Sequence, residues 1–282
     1  MSAEIIDGKA LAQEARFFLK QEIEKNGYTP KLAIILVGDN AASRLYIKGK
    51  QKAAAEVGIC ADIYEKDKQT SQEELLSLID KLNADETVNG IIVQLPLPRH
   101  INAEDITGRI AAQKDVDGFG PMQKWLLEND EKNALASATP KGIIKMIESI
   151  GKSFVSRNAL VIGRSHIVGR PMATMLLNRD CTVTVAHSRT KNLDELCKNA
   201  DILVAACGCP KLVKKDWIKE GAIVIDVGIN HIDGKLCGDV DFENALDVAG
   251  WISPVPGGVG PMTIAMLLDN MVLAYKKQKN LL

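Results

Sequence analysis

Four side chains of this sequence have the types and spacings that proton-transfer chemistry needs. Tyr46 and Lys50 stand four residues apart in SRLYIKGK (43–50), a stretch that reads as the start of a helix, so a phenol ring and an amine share one face. Solvated helices carry such pairs too, and the pair alone does not make a site. Gln94 follows the buried-type run Ile91-Ile92-Val93 and enters a rigid Leu95-Pro96-Leu97-Pro98 turn. An amide at a strand's carboxyl end can accept from a lysine amine while donating to a ligand. Lys114-Asp115-Val116-Asp117-Gly118 adds two carboxylates in a polar turn. A calcium loop needs further acids and a terminal Glu, which are absent, so Asp117 reads as a single ligand-binding carboxylate.

A second constellation, VIGRSHIVGRP at 161–171, takes an apolar β-branched run through a glycine turn into the helical pattern MATMLL. Strand, glycine turn and helix together cradle phosphate, because a helix N-terminus offers unpaired N–H groups and a positive dipole end. Gly163, Ser165 and Gly169 sit at offsets 0, 2 and 6, whereas the common dinucleotide fingerprint has glycine at 0, 2 and 5. The loop is one residue longer, with a hydroxyl where bare backbone is usual. Three strand-like runs end in glycine, at Gly163, Gly208 and Gly228. Such ends are where open parallel sheets bind ligands. The run Thr182–Ala186 leads into His187-Ser188-Arg189-Thr190 with no acid. NAD sites place Asp or Glu there, whereas Arg and Ser donate to a 2′-phosphate, so NADP is expected, with Arg164 near the same phosphate. A solvated basic turn is the other reading of that segment.

The elements that must position these groups alternate between strand and helix patterns, which predicts an α/β protein with parallel sheets. Helical spacing runs over 8–25 behind an Asp7 cap. A strand at 32–37, a helix at about 40–57, a strand at 59–64, a helix at 71–83 opened by a Ser71/Glu74 capping box, and a strand at 90–93 follow. A polar stretch, 128–137, breaks the pattern. Thr139-Pro140 then reads as the cap and first turn of a helix at 140–150. The second α/β unit contains strands at 159–162, 182–186, 201–206 and 222–227 and helices at 170–178 and 192–199. A final helix at 263–278, after the loop PVPGGVGPM, is expected to pack back on the first unit.

The chain has 282 residues, 46% hydrophobic and 25% charged, with a formal net charge of −1. That balance excludes a large phosphate-backbone surface, so no nucleic-acid partner is expected. No apolar stretch is long enough to span a bilayer and no secretory leader is evident, so a cytoplasmic protein is expected. The six cysteines form no CxxC framework. Cys181 and Cys207 read as small buried hydrophobes, and no metal is expected.

LYIKGKQKAAAEVGI, GIIVQLPLP, KDVDGF, VIGRSHIVGRPMA, TVTVAHSRT, ADILVAACG, IVIDVGIN and PVPGGVGPMTIAMLL, in this order, resemble the bifunctional methylenetetrahydrofolate dehydrogenase/methenyltetrahydrofolate cyclohydrolase (FolD) family. The resemblance implies two α/β domains flanking a cleft. One is a folate-binding catalytic domain at 1–139 plus 263–282, the other a Rossmann-type NADP-binding domain at 140–262. It implies a cytosolic homodimer of one-carbon metabolism and purine biosynthesis. The activity implied is oxidation of 5,10-methylenetetrahydrofolate to the methenyl form with NADP, then hydrolysis to 10-formyltetrahydrofolate. Lys50 matches the catalytic lysine, Tyr46 the tyrosine packed on folate, Gln94 the amide that orients the lysine, and Asp117 the carboxylate on the pterin's polar edge. Leu95, Pro256 and Gly257 would border the folate. Gly163, Arg164, Ser165, Ser188 and Ile229 would contact NADP. A lysine removed from water can act as acid or base in the hydrolytic step.

The sequence departs from the family at Gly120-Pro121-Met122-Gln123, where His-Pro-x-Asn is usual, at Ala138, where many members have Cys, and over 125–137. These departures keep open a cyclohydrolase-dominant member with weak dehydrogenase activity. An NADP-dependent dehydrogenase of another small substrate explains the second unit but not Tyr46, Lys50, Gln94 and Asp117 together. A non-catalytic NADP-binding protein would not need the lysine or the glutamine.

Overall fold

The computed structural model describes residues 2–282 and divides into two units, 13–138 with 264–282 and 2–12 with 139–263. The chain opens with β1 (Glu4–Ile5) and α1 (Gly8–Asn26), and the Asp7 carboxylate caps the helix by accepting the Ala10 N–H at 3.0 Å. Then β2 (Lys31–Val37), α2 (Ala41–Val57), β3 (Cys60–Lys66), α3 (Gln72–Ala84) and β4 (Gly90–Val93) alternate as expected. The Asn40 side chain caps α2 on the Ser43 N–H, and the expected Ser71/Glu74 capping box opens α3. KLAIILV forms the central strand of the parallel order β3-β2-β4. A strand covered on both faces is apolar throughout, and Leu32–Val37 are all buried. Ile35, Ile91 and Val93 pack against Leu75, Ile79 and Leu82 of α3 in one core.

Next come α4 (Ala103–Arg109), α5 (Pro121–Glu128) and α6 (Ala138–Ser149). The other unit continues with β5 (Asn158–Ile162), α7 (Gly169–Leu177), β6 (Thr182–Ala186), α8 (Leu193–Lys198), β7 (Ile202–Ala205) and β8 (Ile223–Asp226). A hairpin of β9 (Asn230–Ile232) and β10 (Lys235–Cys237), a short α9 (Phe242–Ala245), β11 (Trp251–Ile252) and α10 (Val259–Gln278) complete the chain. The six-stranded sheet has the order β1-β11-β8-β7-β5-β6 and is parallel throughout.

Four expectations are corrected. The resemblance places residues 2–12 in the folate unit, yet β1 pairs with β11 and the segment belongs with the six-stranded sheet. A two-residue strand is too short to show a period. Helix α6 begins at Ala138, so Thr139 lies inside it, its hydroxyl 3.0 Å from that of Thr263. Helix α10 begins at Val259 instead of 263, taking the end of the glycine-rich loop into its first turn. Cys207 stands beyond the end of β7 and is half-buried, whereas Cys181 is buried as expected. The C-terminal part of α10 packs on the three-stranded unit: the Tyr275 and Tyr28 rings meet at a tilt of 44° with centroids 5.3 Å apart, and Gln278 bonds to Asn89.

Candidate active site

In the three-stranded unit, β2 leads to β3 on one side and β4 lies on the other, so the crevice at their carboxyl ends is a topological switch point. Tyr46 and Lys50 come from α2, which follows β2, and Gln94 follows β4 directly. Lys50 is only 6% exposed. Its Nζ donates to Gln94 Oε1 at 3.2 Å and lies 5.4 Å from the Tyr46 ring centroid, a cation–π distance. Gln94 is fixed from both sides: its backbone N–H donates to Ile35 O at 2.9 Å and its Nε2 to Leu95 O at 2.8 Å. One N–H of the Gln94 amide is thus held by the neighbouring carbonyl, and the half-buried Leu95 takes part through its backbone.

Asp117 reaches the same strand end through its neighbour. Asp115 forms a parallel bridge with Ile91 of β4. Its carboxylate accepts the N–H groups of Gly118, Phe119 and Gly120 at 3.1, 3.3 and 2.7 Å, which ties the 115–120 turn into one piece. Burial pushes the Asp115 carboxyl up to about 6. Asp117 is half-buried. Burial pushes its carboxyl above the ordinary range, and the Lys50 ammonium pulls the other way. The Tyr46 phenol is raised by burial and then by the Asp117 charge. Amine, amide, ring and carboxylate interact as one electrostatic group; spacing alone pointed only to the shared face of Tyr46 and Lys50.

Side chains that sequence reading passed over hold this turn. Asn270 of α10, fully buried, donates to Val116 O at 2.9 Å and Ala136 O at 2.7 Å. Gln123, within the departing segment 120–123, donates to Ala112 O at 2.6 Å and accepts the Leu135 N–H at 2.8 Å. The Asp269-Asn270 pair inside the apolar run 264–274 was the available signal for Asn270.

In the six-stranded unit, β6 and β7 flank β5 on opposite sides, which makes a second switch point. A cavity of about 330 Å³ opens there, lined in part by Gly163, Arg164, Ser165, Ser188 and Cys207. Gly163 has φ 120°, and a side chain at this position would collide with the Ala206 carbonyl. The Ser165 hydroxyl accepts the Val168 and Gly169 N–H groups at 3.2 and 3.3 Å, so the longer loop is closed by the hydroxyl that sequence reading singled out. Thr190 Oγ1 accepts the His187 N–H at 2.9 Å and shapes the turn that carries Ser188. Among the described residues no carboxylate lines the cavity, and Arg164 and Ser188 both do, which fits a dinucleotide bearing a 2′-phosphate. His187 stands in the cavity wall, and so do Cys207 and Cys209, none of which was predicted to bind.

Ile229, expected at the nucleotide, is 60% exposed and lies outside this cavity's lining. Pro256 and Gly257 lie in the six-stranded unit, between β11 and α10, whereas Tyr46, Lys50, Gln94, Leu95 and Asp117 lie in the three-stranded one. The Lys9 N–H donates to Gly257 O at 2.8 Å and anchors that loop to the start of α1. Among the described residues, no three His, Cys, Asp or Glu side chains converge as a metal site.

The model of the tetrahydrofolate dehydrogenase/cyclohydrolase catalytic domain matches residues 6–117, and that of the family's NAD(P)-binding domain matches 137–279. A bifunctional protein FolD of Bacillus cytotoxicus is 51% identical over 281 residues, 98% of each chain. The crystal structure of a bifunctional FolD methylenetetrahydrofolate dehydrogenase/cyclohydrolase from Campylobacter jejuni is 46% identical, with a TM-score of 0.95 over 98% of this chain and 99% of that one. A Trypanosoma brucei FolD crystallised with NADP cofactor and inhibitor is 36% identical, with a TM-score of 0.94 over 98% of both chains. This chain belongs to the tetrahydrofolate dehydrogenase/cyclohydrolase family.

Proposed function

We propose that this chain oxidises 5,10-methylenetetrahydrofolate to the methenyl form with NADP and hydrolyses that product to 10-formyltetrahydrofolate. The observation that carries the reading is the buried Lys50 amine seated on Gln94 Oε1 beside Tyr46 and Asp117. NADP, when bound, supplies the hydride acceptor. Folate nitrogen lone pairs drive hydride loss, so the protein's task in that step is alignment and exclusion of water. Gly163, Ser165, Arg164 and Ser188 would hold the dinucleotide, the last two at its 2′-phosphate. Ile229 would meet it from the neighbouring turn.

Hydrolysis needs proton movement. Water attacks the cationic one-carbon bridge, an N–C bond opens, and one proton is released to solvent overall. Lys50 Nζ takes or returns a proton at the attacked carbon's oxygen or the departing nitrogen. Gln94 keeps the amine aimed and Tyr46 offers its face to the ring system. Asp117 accepts from the pterin's N–H edge, and Leu95 borders the substrate. A cytosolic homodimer completes the proposal, and no helix among the described residues is long and apolar enough to cross a membrane. The test is spectrophotometric: NADPH appears with methylenetetrahydrofolate, and methenyl absorbance then decays faster than without protein. Folded protein that does neither refutes the proposal.

A further inference from the structure

Two carboxylates of the six-stranded unit are wholly buried, and among the described residues neither forms an ion pair. Asp226 ends β8 and Asp239 follows β10; they are 1% and 0% exposed. Buried charge without a counter-ion is costly unless hydrogen bonds replace the lost water, and here backbone N–H groups do so. Asp239 Oδ2 accepts the N–H groups of Cys207 and Gly208 at 2.7 and 2.9 Å, and its Oδ1 accepts Asn230 Nδ2 at 2.8 Å. Asp226 accepts the N–H groups of Gly228, Asp239 and Val240 at 3.0, 2.8 and 2.9 Å. Room for them is built in. A side chain at Gly228 would strike Asp239, and one at Gly238 would strike Asp226.

Asp226 therefore holds Asp239, and Asp239 holds two turns at once. One is the turn after β7, whose Cys207 and Cys209 line the nucleotide cavity. The other is 228–230, between whose anchored ends Ile229 projects with 60% exposure. We propose that Asp239 is a positioning residue for the dehydrogenase reaction, setting both turns against the dinucleotide without touching it. This rests on the NADP reading of the cavity, and NADP binding by the unsubstituted chain tests that reading separately.

The experiment compares Asp239→Ala, Asp239→Asn and Asn230→Ala in the full chain. NADP affinity, KM for NADP and kcat of both activities are measured. Asp239→Ala is expected to raise the KM and Kd for NADP at least tenfold while cyclohydrolase turnover stays within twofold, because Lys50 and Gln94 belong to the other unit. Asp239→Asn keeps an oxygen for the Cys207 and Gly208 N–H groups and should recover most of the affinity. Asn230→Ala, which releases only the second turn, should give a smaller rise. Unchanged NADP affinity in Asp239→Ala overturns the proposal, as does an equal loss of both activities, which marks a merely structural role. If Asp239→Ala does not fold, unchanged NADP affinity in Asn230→Ala overturns it as well.

Discussion

Replacing Gln94 with alanine isolates what the amide does for the lysine. In the structure Lys50 is 6% exposed and its Nζ donates to Gln94 Oε1 at 3.2 Å, while the amide's other end is tied to Leu95 O at 2.8 Å. The substitution removes an acceptor from a buried cationic group and frees the amine's orientation. A hydrogen bond to a charged group contributes about 1.5–3 kcal/mol, which corresponds to roughly 10- to 150-fold in rate if it is needed in the transition state. The assay follows decay of methenyl absorbance, with NADP affinity measured in parallel. Cyclohydrolase kcat should fall within that range while the Kd for NADP stays within twofold, since the nucleotide cavity is lined entirely by residues of the other unit. Turnover equal to the parent's would show that the amide does not position the amine. A matching loss of NADP affinity would show that the effect is general unfolding.

Three further outcomes follow from the geometry. Arg164→Ala combined with Ser188→Ala removes charge-assisted donors at an exposed cavity mouth, worth about 1.5–3 kcal/mol together; the NADP-over-NAD ratio of kcat/KM should fall roughly tenfold or more, and an unchanged ratio refutes the 2′-phosphate assignment. Asn270→Ala strands the buried carbonyls of Val116 and Ala136, at about 1–3 kcal/mol each, so thermal unfolding should move down by roughly 5–15 °C; an unshifted melting curve removes Asn270 as the clamp of the Asp117 turn. Burial pushes Asp115 up to about 6, so between an ordinary carboxyl near 4 and that value the folded chain holds a proton the unfolded chain has lost. Its contribution to stability is fully present below about pH 4 and is lost as pH rises through 6. Urea unfolding of the parent and of Asp115→Asn should show the parent's advantage shrinking by up to about 3 kcal/mol over that window, and a constant gap would contradict it.

The parts of this molecule that could be read in advance are those with a strong local signal. KLAIILV reads as a central strand because both its faces are covered, and Ser71 with Glu74 marks a helix start because the two side chains cap each other's orphan N–H groups. Tyr46 and Lys50 share a helix face by spacing alone, and the Gly163–Gly169 loop reads as a nucleotide turn from its glycines and hydroxyl. What escaped has no period to detect: β1 and β11 are two residues each, and their pairing is a long-range event that moves the N-terminus into the other unit. Gln94 was legible as the lysine's acceptor, whereas the tie of its amide nitrogen to the adjacent carbonyl was not. Asp226, Asp239 and Asn270 are ordinary polar letters in sequence. Only the folded backbone reveals the N–H and C=O groups they satisfy.

Lys50→Met tests the central claim most directly, because methionine fills much of the buried space while removing the amine. Cyclohydrolase activity should vanish against the uncatalysed background while NADP binds with the parent's affinity. Parent-like hydrolysis by the folded variant would contradict the account.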